Sequence, residues 1–278
     1  MKITEKETAA FAGALRTADR SPGTVGKYLR DVRAFAVWLG ERELNAEAAS
    51  GWRDCLLEQG RAPVTINSML SAVNRFLVFL GREDCKIRFL RIQRRTFRSQ
   101  ERELSRGEYR KLLETAQEQG RERLALLMEA VCSTGIRVSE VRYLTVEAAR
   151  RGRAEICLKG KIRTILLPAK LCRKLLKYAA KHKTASGEIF LTRSGKSLSR
   201  RQIWREMKSL CEKAGVPPAK VFPHNLRHLF ATVFYRACRD IVKLADILGH
   251  SSINTTRIYL MTSGGEHARQ LEKLGLVT

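Results

Sequence analysis

The sequence predicts a mainly α-helical protein in two parts, an all-α bundle followed by a mixed α+β domain with a small β-sheet or hairpin. Apolar residues recur at helical spacing through most of the chain, and one stretch near its middle alternates instead. A polar, basic stretch without apolar periodicity separates the two parts. With 278 residues, 44% of them hydrophobic, the chain can bury a core in each part.

Two similar stretches predict helices in the first part, SPGTVGKYLRDVRAFAVWLG and APVTINSMLSAVNRFLVFLG. They close on Gly40 and Gly81, as helices commonly do. About four short helices of this kind form a bundle over residues 1–92. Its basic outer face fits either contact with DNA or plain solvation. The apolar positions that predict the buried faces are Val25, Tyr28, Leu29, Val32, Phe35, Ala36, Leu39, Val64, Ile66, Met69, Leu70, Val73, Phe76, Leu77 and Leu80.

A basic linker is predicted at residues 93–103, within IQRRTFRSQERE. Arg94 and Arg95 are its candidate DNA contacts. A helix then begins after Ser105, because Ser105 and Glu108 form the S-x-x-E pattern of a capping box.

One β-hairpin is predicted in the second domain, residues 104–278. The stretch AEICLKGKIRTILLP is rich in Ile, Leu and Thr and turns at Gly160, which indicates a hairpin over residues 154–168. Its tip is expected to carry Lys159, Lys161 and Arg163.

Charge is the strongest compositional signal. Lys and Arg number 53 against 28 Asp and Glu, a formal net charge of +25 spread along the chain. Such a protein is expected to bind a polyanion, with nucleic acid ranked first and DNA or RNA left open. The chain lacks an apolar run of membrane-spanning length, and its start, MKITEKETAAF, lacks a signal-peptide core, which favours a soluble intracellular protein. Seven scattered cysteines without C-x-x-C spacing favour reduced core residues over disulfides or a zinc site, so no metal is expected.

Four short motifs of the second domain carry residues suited to attack on a phosphodiester: STGIRVSEV, the hairpin, HNLRHLF and GHSSINTTRIYL. Singly, each has an ordinary structural explanation, such as a surface ion pair, a solvated lysine, a helix cap or a packed tyrosine. Together they supply two guanidiniums, two imidazoles, an ammonium and a phenol. This combination is a full set for phosphoryl transfer.

Each residue type has a chemical reason. Positive charge must stabilise the non-bridging phosphate oxygens, and the planar forks of Arg137 and Arg227 suit that task because they do not deprotonate. The phenol of Tyr259 is a poor nucleophile at neutral pH unless a base and a positive field favour the phenolate. A lysine on the hairpin tip can protonate the departing 5′ oxygen as a general acid.

The ordered series T-G-I-R-V-S-E, K-G-K, H-N-L-R-H and L-G-H-x8-Y closely resembles the catalytic domain of the tyrosine recombinase/integrase family, over about residues 104–260. S-P-x-T-x-x-x-Y and the later A-P-x-T-I-N resemble the family's helical, SAM-like core-binding domain, in a Xer-like two-domain plan. In that family the two Arg and both His surround the scissile phosphate, the hairpin Lys is the general acid and the Tyr forms a 3′-phosphotyrosyl bond. The resemblance implies these roles for Arg137, Lys159, His224, Arg227, His250 and Tyr259, with Glu140 and His228 as supporting neighbours.

The lysine assignment stays open at this point. Similar hairpins read G-K-G, then a polar turn and another basic residue, whereas here Leu158 precedes the lysine and the turn is short. Lys159 is preferred because it aligns with the lysine before the turn glycine, and Lys161 is the alternative. Lys161 and Arg163 are also candidate DNA contacts.

The resemblance implies a site-specific recombinase or integrase that cleaves and rejoins duplex DNA without metal, cofactor or ATP. Its expected partners are DNA with a specific recombination site, copies of the chain in a synaptic tetramer on that DNA, and accessory DNA-bending proteins, with no membrane. The expected location is the cytoplasm, in association with the nucleoid. Two alternatives use the same chain differently: a type IB topoisomerase-like relaxing enzyme, and a catalytically silent architectural DNA-binding protein.

Overall fold

A computed structural model describes residues 3–93, 102–158, 161–260 and 272–274. The chain divides into two compact units, Met1–Arg94 and Arg95–Thr278. The first is helical and the second adds a two-stranded antiparallel sheet, which confirms the predicted fold class. Among the residues that the structure describes, no helix is long and apolar enough to cross a membrane.

Over its described residues, 3–93, the first unit consists of four α-helices and a short 3₁₀ turn. Aromatic residues fill its core: the rings of Phe35 and Trp52 lie 5.1 Å apart, and those of Phe11 and Phe76 lie 5.2 Å apart. The predicted buried faces are largely confirmed, but Val64 is 67% exposed because it lies in the first turn of its helix, away from the core. The elements are α1 (Glu5–Thr17), α2 (Pro22–Leu39), α3 (Ala46–Glu58), α4 (Pro63–Phe79) and the turn Glu83–Cys85.

Two asparagines of α4 hold the chain that follows the helix. Asn74 donates to the carbonyl of Ile87 and accepts from its backbone N–H, at 2.9 and 2.8 Å. Asn67 makes the same pair of bonds with Leu90, at 2.9 and 2.8 Å. These bonds fix the extended segment 87–90 along the helix.

The first α-helix of the second unit begins with the predicted capping box. The backbone N–H of Glu108 donates to Ser105 Oγ, and Glu108 accepts from the backbone N–H of Ser105. The helices of this unit are α5 (Arg106–Glu118), α6 (Glu122–Thr134), α7 (Val146–Arg151), α8 (Ala169–Lys181), α9 (Arg200–Lys208), α10 (Cys211–Ala214), α11 (Pro223–Cys238), α12 (Ile241–Leu248) and α13 (Ile253–Arg257), with 3₁₀ turns at Val138–Tyr143, Pro218–Lys220 and Ile258–Leu260.

The predicted hairpin consists of β1 (Arg153–Leu158) and β2 (Lys161–Leu166). The strands pair antiparallel from Arg153 with Leu166 to Leu158 with Lys161. Ile156 and Ile165 are buried in the main core of the unit, whereas Leu166 is 74% exposed on the opposite face. One face of the sheet is therefore anchored to the helices.

The segment before α5 already belongs to the second unit. Leu104 is buried in its core, and the carbonyl of Arg102 accepts from Asn225 Nδ2 of α11 at 2.7 Å. Residues 102 and 103, which fall in the predicted linker, therefore contact the catalytic helices. Arg94 and Arg95 lie outside the described residues.

Candidate active site

Arg137 lies at the start of a 3₁₀ turn and is oriented by Glu140. Its backbone N–H donates to Glu140 Oε2 and its Nη1 donates to Oε1, both at 2.9 Å. Glu140 is 2% exposed, while the Arg137 side chain is 40% exposed. The pair is not an ordinary surface ion pair, because a buried carboxylate holds a guanidinium whose outer edge faces solvent.

A left-handed glycine shapes the approach to Arg137. Gly135 ends α6 with a φ of +64°. A Cβ there would lie 2.5 Å from Phe230 Cδ1 and 2.9 Å from Leu248 Cδ2, so only glycine fits both the backbone and the space. Its carbonyl thereby approaches α11 closely enough to accept from Arg227 at 2.5 Å.

Arg227 is buried in α11, with 2% of its surface exposed. Its Nη2 donates to the carbonyl of Leu248 at 2.7 Å and to His250 Nε2 at 2.8 Å. Burial lowers the pKa of this guanidinium, the nearby charge of Arg137 lowers it further, and Tyr259 raises it. The guanidinium therefore lies in a strongly positive region beside the phenol.

His250 follows α12, and its two ring nitrogens have different partners. Nε2 must accept, because the guanidinium of Arg227 can only donate. Nδ1 lies 2.8 Å from Thr256 Oγ1, so the neutral ring carries its proton on Nδ1 and donates it to the threonine. Burial lowers the pKa of His250 to about 4, with the positive charges of Arg227 and Arg137 as the next causes. The ring is neutral at pH 7.

Tyr259 lies in the 3₁₀ turn after α13 and is 7% exposed. Its ring centroid lies 5.5 Å from that of His224, 5.4 Å from that of His228 and 5.5 Å from that of His250. Its phenol oxygen is 3.4 Å from His224 Nε2. The tyrosine is both packed and placed for proton exchange with an imidazole.

His228 packs in this cluster and is 3% exposed. Its Nε2 lies 3.3 Å from Glu103 Oε1. The structure thus brings together five of the six predicted catalytic residues and the two predicted supports. Lys159 lies outside the described residues, and of Lys161 only the backbone is described.

The family follows from comparison with known proteins. Residues 102–264 match the model of the phage integrase family, which is more than half of the chain. The chain belongs to this family. Residues 9–84 match the model of the phage integrase N-terminal SAM-like domain. The chain is 30% identical over 278 residues to tyrosine recombinase XerA of Thermococcus kodakarensis, covering 95% of each protein. It is therefore a tyrosine-type site-specific recombinase, and neither alternative function is favoured.

Solved structures share its fold. XerH recombinase bound to difH substrate in a pre-cleavage complex aligns with a TM-score of 0.70 and 18% identity, over 96% of this chain and 84% of that one. A λ integrase tetramer bound to a Holliday junction aligns with a TM-score of 0.73 and 16% identity, over 91% of this chain and 76% of that one.

The predicted position of one residue of the recombinase needs correction. Arg163 was expected at the hairpin tip, in contact with DNA, but it lies inside β2, opposite Ile156, with 13% of its side chain exposed. Its Nη1 donates to Glu140 Oε2 at 3.2 Å and its Nη2 to the carbonyl of Ile247 at 2.6 Å. Arg163 therefore lies within the strand pair and binds two groups of the protein, rather than lying at the tip.

Sequence reasoning about the recombinase also missed Thr256 and Glu103. Thr256 is completely buried and fixes the tautomer of His250. A signal for it exists, because a residue three before Tyr259 shares its helical face. Glu103 carries no such signal, since its contact with His228 joins positions 125 residues apart.

Proposed function

We propose that this recombinase cleaves and rejoins duplex DNA at a specific site through a 3′-phosphotyrosyl bond to Tyr259. The observation that carries the proposal is the phenol held 3.4 Å from His224 Nε2, beside the buried guanidinium of Arg227. A tyrosine whose role is packing alone does not require three imidazoles and a guanidinium around it. The arrangement supplies both a base and a positive field for a phenolate.

The cleavage step transfers one phosphoryl group. The oxygen of Tyr259 forms a bond with the scissile phosphorus as the bond to the 5′ oxygen breaks. The phenol proton passes to His224 Nε2, and a general acid gives a proton to the 5′ oxygen, which leaves as a hydroxyl. Rejoining reverses these steps when a 5′-hydroxyl attacks the phosphotyrosine.

Two arginines stabilise the phosphate in this proposal. Arg137 offers the outer edge of its guanidinium, since its Nη2 has only a long bond of 3.3 Å to the carbonyl of Gly249. Arg227 lies deeper, and backbone carbonyls fix it before substrate arrives. Fixed charges of this kind stabilise a transition state without reorganising.

The general acid comes from the hairpin. His250 does not suit the role, because its pKa of about 4 leaves the ring neutral with Nε2 as an acceptor. Lys159 is the preferred acid and Lys161 the alternative, since both border the tip between β1 and β2.

The reaction requires no ATP, because the phosphotyrosine conserves the energy of the broken ester. It requires no metal either, because arginines supply the positive charge at the phosphate. This distinguishes it from metal-dependent strand transfer, which relies on clustered acidic ligands.

Assembly on DNA completes the proposal. Residues 1–92 and 104–278 bind the duplex as separate domains joined by the basic linker 93–103. Arg94, Arg95 and Lys161 are proposed phosphate contacts, in keeping with the net charge of +25. Copies of the chain form a synaptic tetramer, supported by the likeness to an integrase tetramer on a Holliday junction. The enzyme acts at the nucleoid, with accessory DNA-bending proteins where the site requires them.

The test uses a nicked duplex that traps the covalent intermediate. Tyr259→Phe keeps the packed ring but lacks the attacking oxygen, so we expect unchanged DNA binding and no covalent adduct. A matched control is Tyr178→Phe, which removes a phenol on α8, a helix that carries none of the proposed catalytic residues. An adduct of normal yield in Tyr259→Phe would reject the proposal.

A further inference from the structure

The side chain of Arg163 is an unusual feature of the hairpin. Arginine on a two-stranded ribbon normally extends into solvent, yet only 13% of this side chain is exposed. Burial lowers its pKa to about 10. The contacts of Arg163 must offset this cost of desolvation.

Those contacts reach two separate parts of the active site. One amino group of the guanidinium binds Glu140, the carboxylate that also orients Arg137. The other binds the carbonyl of Ile247 at the end of α12, the helix that leads into His250. Arg163 thus links β2 both to the turn that carries Arg137 and to the helix that precedes His250.

The glycine before His250 makes room for this side chain. A Cβ on Gly249 would lie 2.3 Å from Arg163 Cδ and 2.5 Å from its Nε. The backbone of Gly249 also has a φ of +61°, which glycine adopts without strain. The stem of Arg163 therefore packs directly on the backbone at this position.

We propose that Arg163 is the positioning residue that docks the β-hairpin on the active site and so holds the general acid of its tip at the leaving oxygen. The inference rests on the proposed function. Arg163 lies opposite Ile156, two residue pairs from the closing pair of Leu158 and Lys161, or about 7 Å along the strand. A two-stranded ribbon is marginally stable alone, so β1 and β2 need an anchor. Arg163 provides one on the side that faces the site.

The decisive substrate is DNA with sulfur in place of the bridging 5′ oxygen at the cleavage site. A thiolate leaves without a proton, so this substrate does not need the general acid. Arg163→Met keeps a stem of similar shape and removes both bonds. We expect DNA binding within about 3-fold of the wild type and cleavage of normal DNA slower by about 10²-fold, the scale of a displaced catalytic group. On the sulfur substrate we expect nearly wild-type cleavage.

Two further variants give the comparison its reference points. The cleavage rate of Arg163→Lys on normal DNA should lie between those of the wild type and Arg163→Met, because one ammonium lacks the fork that reaches both acceptors. Arg153→Met is the matched control: it removes an arginine at the other end of the same ribbon, whose side chain is 56% exposed and pairs with Glu155 at 3.5 Å. It should leave both substrates unaffected. If Arg163→Met does not fold, Arg163→Lys is measured in its place.

Lys159→Ala and Lys161→Ala distinguish a failure of this inference from a failure of the proposed general acid. Sulfur rescue of one lysine variant together with Arg163→Met supports the inference. Sulfur rescue of a lysine variant without rescue of the Arg163 variant overturns it, and places the effect of Arg163 on Glu140 and Arg137 instead. Rescue of neither lysine variant removes the general acid from the hairpin, and the inference falls with that part of the proposed function.

Discussion

At the scale of single residues, the surroundings of His250 set its charge. Burial and the neighbouring guanidiniums lower its pKa to about 4 in the folded protein, against about 6.5 in an unfolded chain. Between these values the unfolded state binds the extra proton, so this histidine's contribution to stability is complete above pH 6.5 and is lost as the pH falls toward 4.

A neutral replacement tests this linkage. His250→Gln cannot take up the proton, so its free energy of unfolding should fall less between pH 7.5 and pH 5 than that of the wild type. Urea titrations at the two pH values measure the difference. His182→Gln is a suitable control, because His182 lies at the end of α8 in the same unit. Equal losses in wild type and His250→Gln would show that the folded pKa is not depressed.

The limits of prediction are also visible in single residues. Residue type and spacing sufficed to predict that Arg137, Arg227 and Tyr259 share one site, because few other side chains suit chemistry at a phosphate. Arg163 was misplaced because charge beside a turn normally indicates solvent. Its burial depends on Glu140 and on the carbonyl of Ile247, which are 23 and 84 residues away along the chain.

At the scale of elements, the sequence predicted the features that depend on residues close together along the chain. The capping box of Ser105 and Glu108, the helix ends near Gly40 and Gly81 and the pairing of β1 with β2 all depend on residues close together in the sequence. The extended segment 87–90 was not predicted. Its register depends on spatial matching, since the seven residues from Asn67 to Asn74 rise about 10.5 Å along α4 and three extended residues span about 10 Å.

The asparagine contacts should therefore contribute measurably to stability. Asn74→Ala leaves the backbone N–H and carbonyl of Ile87 without their partner, so we expect a loss of about 1–3 kcal/mol in the free energy of unfolding. Chemical denaturation of the full chain measures it. Gln117→Ala, an exposed amide on α5, should change stability by less than about 0.5 kcal/mol. A loss in Asn74→Ala no larger than in this control would contradict the assigned role.

At the scale of the whole molecule, charge governs encounter with DNA. The net charge of +25 is spread over both units, so many phosphate contacts form at once and release counterions. The logarithm of the affinity for DNA should fall steeply and linearly with the logarithm of the salt concentration. Arg163→Met should not change this slope, because Arg163 contacts protein rather than phosphate. A shallower slope in that variant would show that Arg163 contacts a DNA phosphate.

Cleavage should persist in excess EDTA, and its loss, reversed by Mg²⁺, would contradict the metal-free mechanism.

The central claim concerns one bond, between Tyr259 and a DNA phosphate. Trypsin cleaves after Arg257 and Arg269, so Tyr259 falls in the peptide IYLMTSGGEHAR, where it is the one tyrosine. The measurement is mass spectrometry of this peptide after trapping on a nicked duplex and nuclease digestion. The account predicts that fragmentation places a 3′-linked nucleotide phosphate on Tyr259, and that the mass shift is absent from Tyr259→Phe. An unmodified peptide alongside a covalent complex, or a phosphate on any other residue, would contradict it.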